Sequence, residues 1–277
     1  MFCTMLRSNL VEASVEAVVA AGIRAGEDDL LAVNPSRETI RTLVETARDV
    51  ESPPRVRLLA EERPVKRLLE DFLVASVAAD LVEADALEIR TVDEVPRNSL
   101  FVTDEAVAAL VTAGSRAAAL TTTDADFVAA AGEHYDDLWA ASTPYALRTP
   151  PRSTVRESLA ADISEDAAAD FDAVLSSLDT ARGDGAGLDE VTISLLVAAR
   201  NHVLLYDISK WGEDVGLASK ATFSRTKTRL EERGLLDTEK VPIDVGRPRL
   251  RLKFGDDRLA EADVEDLADV VQRLLAT

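Results

Sequence analysis

The chain has 277 residues, 47% of them hydrophobic and 30% charged, enough for two domains of ordinary size, each with its own core. Its 51 acids against 31 bases leave a formal net charge of −20, which speaks to solubility and says little about partners except where the balance departs locally. One cysteine, Cys3, excludes an internal disulfide, two distant histidines, His134 and His202, leave little for zinc or histidine nucleophiles, and no apolar run reaches the roughly 20 residues of a membrane span, so a cytoplasmic protein with no metal, cofactor or membrane partner is expected.

From residue 6 to about 22, Leu6, Leu10, Val11, Val15, Val18 and Val19 recur near helical spacing, which predicts a helix closed at Gly22. "DDLLAVNPS" reads as a buried strand, 29 to 33, turning at Asn34-Pro35, with Ser36 capping a helix that Pro53-Pro54 breaks. "VRLLA" is the next strand, a long helix over about 62 to 83 follows, and "ALEIRTV" and "SLFVTD" are further strands. "AVAALVT" and "AAALTT" around Gly114 read as a hairpin, and Asp124 as the cap of a helix running to Trp139. This alternation predicts an α/β domain, residues 1 to 145, with a mostly parallel sheet. The prolines of "TPYALRTPPRST" mark a boundary, and 146 to 187 is expected to be a linker with one helix, Ser164 to Leu178, and a flexible joint at "ARGDGAG".

The second domain, 188 to 255, begins with an apolar helix between Val191 and Val203. In "DISKWGEDVGL", Ile208, Trp211, Val215 and Leu217 form the buried side of a two-turn helix closed by Gly216, and Gly212 permits a close contact. Ser219 then caps a helix to Arg233, ended by Gly234, with Phe223 and Leu230 facing inward. Lys220, Thr222, Ser224, Arg225, Thr228 and Arg229 lie on its outer side, with Lys227 beside them, and residues 218 to 229 contain no acid. That is the economical reading of a helix-turn-helix that offers donors to base edges and phosphates. "EKVPIDVGRPRLRLKF" follows as two strands, a wing in which Leu250, Leu252 and Phe254 pack inward while Arg249, Arg251 and Lys253 make the other face uniformly basic, with Arg247 and Arg249 at its tip. The bland alternative is a solvated helix face. Acid depletion in so acidic a chain, repeated in the wing, favours double-stranded DNA.

"GLASKATFSRTKTRLEERGLL" resembles the turn and recognition helix of prokaryotic winged helix-turn-helix regulators, and the whole chain resembles the haloarchaeal TrmB-like transcriptional regulators, in particular the TbsP group. The acid excess and the scarcity of lysine, found at six positions, resemble haloarchaeal proteins in general. What the resemblance implies is an α/β domain akin to one half of the phospholipase D superfamily, a DNA-binding winged helix, and control of genes of sugar or central carbon metabolism. Typical TrmB proteins carry the DNA-binding domain first, the reverse of the order here, and the phospholipase His-x-Lys motif is absent, which argues against phosphodiester hydrolysis.

Ligands of parallel α/β sheets bind at the carboxyl ends of strands, here Asn34, Ser36, Arg37, Glu61, Arg63, Thr103, Asp104, Thr122 and Thr123. Asn34, Ser36, Arg37, Thr122 and Thr123 are candidates for a small-metabolite effector, or else helix caps and loop residues. "AGEHYDDLW" reads as solvated acids beside packing residues rather than a metal cluster. In the final helix, about 257 to 276, Leu267, Val271 and Leu274 could form a homodimer seam or cover their own domain. The reading is a sequence-specific transcriptional regulator and not an enzyme, since there is neither a glycine-rich phosphate loop nor a nucleophile elbow. Its rivals are an α/β enzyme or a protein-binding scaffold with an accessory winged helix.

Overall fold

The computed structural model describes residues 9–25, 29–94, 96–114, 116–182, 188–242 and 248–275. By their contacts, residues 1–70 and 77–147 form one unit, and residues 71–76 with 148–277 form another.

The first unit runs β1 (Leu10–Glu12), α1 (Val15–Ala25), β2 (Asp29–Val33), α2 (Arg37–Arg48), β3 (Arg55–Ala60), α3 (Glu62–Leu68), most of α4 (Phe72–Glu83), β4 (Leu87–Thr91), β5 (Leu100–Val102), β6 (Val107–Ala113), β7 (Arg116–Thr122), α5 (Ala125–Ala141) and β8 (Thr143–Pro144). Its eight strands lie in the order β1-β7-β6-β5-β2-β3-β4-β8. The expected parallel sheet is present as the neighbours β2, β3 and β4, joined by helical crossovers. Around them the sheet is mixed, because β5, β6 and β7 form an antiparallel meander beside β2, and β1 and β8 pair antiparallel at the two edges. Side chains alternate between faces. Leu31, Val33, Leu59, Leu100, Val102 and Val107 pack with Val128 of α5, while Val56 and Leu87 meet Leu43, Val44 and Ala47 of α2 and Leu81 of α4 on the opposite face.

Several expected boundaries move. Leu10 to Glu12 pair with β7, so the first helix starts only at Val15, where Ser14 Oγ accepts from the Ala17 amide at 3.3 Å. Gly22 does not end that helix. It lies inside α1, where an added Cβ would stand 3.3 Å from the Phe101 ring. The single helix expected over 62 to 83 is two, interrupted at Asp71. The buried Asp71 carboxylate accepts from the Leu73 amide at 3.2 Å, the Ala181 amide at 3.0 Å and the Thr180 hydroxyl at 2.9 Å. A buried charge so satisfied caps α4 and outweighs the propensity of the flanking residues to continue one helix.

Besides residues 71–76, the second unit contains α6 (Arg152–Asp162), α7 (Glu165–Ser176), α8 (Glu190–Arg200), α9 (Leu205–Asp214), α10 (Lys220–Glu232), β9 (Leu236–Val241), β10 (Arg249–Phe254), α11 (Asp257–Glu261), a 3-10 turn (Val264–Asp266) and α12 (Leu267–Leu275). Helix α8 is the axis of the core, with every residue from Val191 to Ala199 buried. The stretch 146 to 187, expected to link, carries two helices, whose Val155, Leu159, Phe171, Val174 and Leu175 belong to this core together with Phe72. Leu267 and Val271 of the expected dimer seam are fully buried in the same core and Leu274 packs against it, so α12 covers its own unit. Among the described residues no helix is long and apolar enough to cross a membrane.

Replacing Asp71 by Ala would take the acceptor from the Leu73 amide, the buried Ala181 amide and the Thr180 hydroxyl, and remove the carboxylate that lies 3.7 Å from Arg182. We expect a loss of about 3 kcal/mol, measured as a lower urea midpoint; a midpoint equal to that of the parent would remove Asp71 from the stabilising set.

Candidate nucleic-acid interface

Helices α9 and α10 are set by one small residue and one turn. A Cβ on Gly212 would lie 2.3 Å from Cε2 of Phe223, whose ring is fully buried, so only glycine lets α10 cross α9 at this distance. Gly216, at φ +80°, then closes α9: its amide donates to the Glu213 carbonyl at 3.2 Å, and the Leu217 amide to the Gly212 carbonyl at 2.8 Å. This is a Schellman termination, and it reverses the chain within two residues. Ser219 Oγ accepts from the Thr222 amide at 3.2 Å and begins α10. Trp211, also buried, donates Nε1–H to Ser158 Oγ of α6 at 3.0 Å, holding α9 to the remaining core.

Phe223, Thr226 and Leu230 bury one side of α10, which leaves Ser219, Lys220, Ser224, Arg225, Thr228 and Arg229 exposed, with Thr222 half-exposed. Their engagements differ. Lys220 Nζ is 2.7 Å from Glu213 Oε2, and Arg229 touches Asp189 at 4.0 Å and Thr192 Oγ1 at 3.4 Å. Thr228 donates to the Ser224 carbonyl at 3.1 Å, while Arg225 reaches only Thr222 Oγ1, at 3.4 Å, with no carboxylate partner among the described residues. Lys227 turns away from this face: its side chain is 12% exposed and its Nζ sits 2.7 Å from Glu231.

The wing does not present the uniformly basic face expected of it. In the β9–β10 register Arg251 stands opposite Glu239 and Lys253 opposite Asp237, paired at 2.8 and 2.9 Å. Arg249 stacks 4.5 Å above the Tyr206 ring and reaches Asp207 at 3.4 Å. Arg247 falls outside the described residues. The hydrogen bond from Lys220 lowers the pKa of Glu213 from its ordinary value, and that from Lys253 does the same for Asp237. Exposed pairs of this kind add little to stability, so they mask the cations without locking them away from a phosphate. The sequence reading did not single out Arg233, exposed with no carboxylate partner among the described residues, or Tyr206, whose exposed ring lies under the Arg249 guanidinium.

The effector candidates on the α/β unit do not converge. Asn34, Ser36 and Arg37 follow β2, and Glu61 and Arg63 follow the parallel β3, so these share one edge of the sheet. Strands β5 and β7 run antiparallel to β2, which puts Thr103, Asp104, Thr122 and Thr123 at the opposite edge. Two of the first group are also occupied: Asn34 Nδ2 donates to the Pro96 carbonyl at 2.7 Å, and Ser36 Oγ caps α2 by accepting from the Thr39 amide at 3.1 Å. Asp136 of "AGEHYDDLW" pairs with Arg57 at 2.7 Å, and among the described residues no group of His, Cys, Asp and Glu could hold a metal ion.

The family described as transcriptional regulator TbsP-like, N-terminal, matches residues 7–150, and that described as transcriptional regulator TbsP-like, C-terminal HTH domain, matches residues 151–272. No curated protein matches the chain. Among solved structures it is similar to the archaeal chromatin protein TrmBL2, at 14% identity over 50% of this chain and 54% of that one, with a TM-score of 0.36. It thus spans about half of TrmBL2. It is also similar to Nuc, a phospholipase D family member from Salmonella typhimurium, at 14% identity over 50% of this chain and 99% of that one, with a TM-score of 0.35.

The placement of α10 rests on the absence of a side chain at position 212. Gly212→Ala forces the buried Phe223 ring to move and is expected to cost about 3 kcal/mol, read as a drop in melting temperature; unchanged stability would show that the two helices do not meet there.

Proposed function

Because the chain belongs to the TbsP-like transcriptional regulators, we propose that it binds promoter DNA sequence-specifically, with α10 in the major groove and the β9–β10 wing against the backbone. The observation that carries this reading is Arg225: exposed, flanked by Ser224 and Thr228, and without a carboxylate partner among the described residues of an acid-rich chain. A free guanidinium on the outer face of such a helix suits bidentate contact with guanine O6 and N7. Lys220, Thr222, Arg229 and Arg249 supply phosphate contacts in this reading, and Ser219 positions the helix. Lys227 contributes through Glu231 to the helix itself.

Binding as a homodimer belongs to the same proposal, supported by the gain in specificity from two half-sites and not by α12. So does a small-metabolite effector on the α/β unit. Genes of sugar or central carbon metabolism, which the family resemblance implied, are the promoters to test first. No catalysis is part of this reading, and its place of action is the cytoplasm.

Arg225→Ala should weaken binding to the specific site by about 1 to 3 kcal/mol in fluorescence anisotropy while leaving random duplex nearly unaffected. Equal loss on both would sink its base-reading role. The masked cations generate a second test. A carboxylate left facing a phosphate takes up a cation as the counterions of DNA depart, which flattens the salt dependence. Glu213→Gln should therefore steepen the slope of log K against log salt by about 0.9; an unchanged slope would mean that Lys220 meets no phosphate.

A further inference from the structure

We propose that the recess at the carboxyl ends of β2 and β3 is a binding site for a small phosphate-bearing anion. It has a volume of about 310 Å³ and is lined by Arg37, Glu61, Arg63, Pro64 and Arg67. Three guanidinium groups against one carboxylate leave its wall cationic, in a chain whose net charge is −20. Several other arginines of the same unit are claimed by acids: Arg55 and Arg90 each lie 2.8 Å from Glu88, and Arg57 lies 2.7 Å from both Asp29 and Asp136. Arg37, Arg63 and Arg67 have no such partner among the described residues, and Glu61, close at hand, pairs with none of them. Three like charges gathered around a single carboxylate leave an excess of positive charge, and an anion relieves the repulsion among them.

Chemistry and topology agree on the kind of anion. The forked guanidinium matches the paired oxygens of a phosphate, and three of them can share its oxygens. Arg37 opens the twelve-residue α2, whose amino end adds its partial positive charge at the same edge, the edge where parallel α/β sheets place ligands. The recess holds more than one bare phosphate, and Glu61 at its rim can accept from a hydroxyl of the group that carries the phosphate. This inference names the chemistry of the effector in the proposed function, yet it is tested without DNA, so either reading can fail alone.

Isothermal titration calorimetry on the full chain at constant ionic strength would use inorganic phosphate and glycerol 3-phosphate as probes, with glycerol as the uncharged control. We expect one saturable site per chain for the phosphate probes and none for glycerol. Arg37→Gln or Arg63→Gln should weaken binding about tenfold or more, and Arg63→Lys by less, whereas Arg116→Gln, on β7 three strands away from β2, should change nothing. Tighter binding of glycerol 3-phosphate points to a phosphorylated metabolite, and tighter binding of inorganic phosphate to the free ion; either supports the site. Absence of saturable binding, or equal binding by the arginine variants with circular dichroism matching the parent, would overturn it.

Discussion

The winged half of the molecule depends on a glycine pressed against a phenyl ring. Gly212 and Phe223 bring α9 and α10 closer than any side chain at position 212 permits, and every cation on α10 takes its position from that approach. The ring is anchored in turn, because it belongs to the core built around α8, in which every residue from Val191 to Ala199 is buried. Local termination and tertiary packing thus agree: the Schellman closure at Gly216 turns the chain just where the close crossing requires α10 to begin.

On that scaffold the charge pattern is one of masked cations. Lys220 faces Glu213, Arg251 faces Glu239 and Lys253 faces Asp237, all near the surface. Such pairs contribute little to folding, but they lower the bare positive potential that would attract any polyanion. A phosphate can replace each carboxylate at small cost, whereas Arg225 requires no exchange. In the proposed complex with DNA, discrimination then weighs more heavily than general attraction. The recess of Arg37, Arg63 and Arg67 differs, with three cations around the one carboxylate of Glu61.

Much of this was legible in the residues, and the failures have physical causes. Caps at Ser36, Asp124 and Ser219, the β6–β7 hairpin, the buried pair Phe223 and Leu230, and the close contact at Gly212 are set by chemistry within a few residues of each site. What periodicity cannot carry is the partner from far along the chain. The break at Asp71 answers to Thr180 and Ala181, more than a hundred residues away, and Gly22 reads as a stop until the Phe101 ring is seen against it. The basic face of β10 looked uniform because the acids that mask it belong to β9 and α9. A strand carries no sign of its direction, so Thr122 and Asn34 seemed to share an edge until the meander was known. The apolar stripe of α12 suits a seam and a core equally well, and only packing chose the core.

The borders of the eight-stranded sheet have a bearing on assembly. One is β1, three residues long, beside which Asn9 Oδ1 takes up the Thr121 amide at 2.9 Å; the other is β8, two residues ending in Pro144, which has no amide hydrogen to offer. Blunted margins of this kind give an incoming chain no continuous row of backbone donors and acceptors to zip onto. Fibre-like extension from one molecule to the next is thereby discouraged, and association between copies falls to surfaces made of side chains, where identity and spacing can be selected.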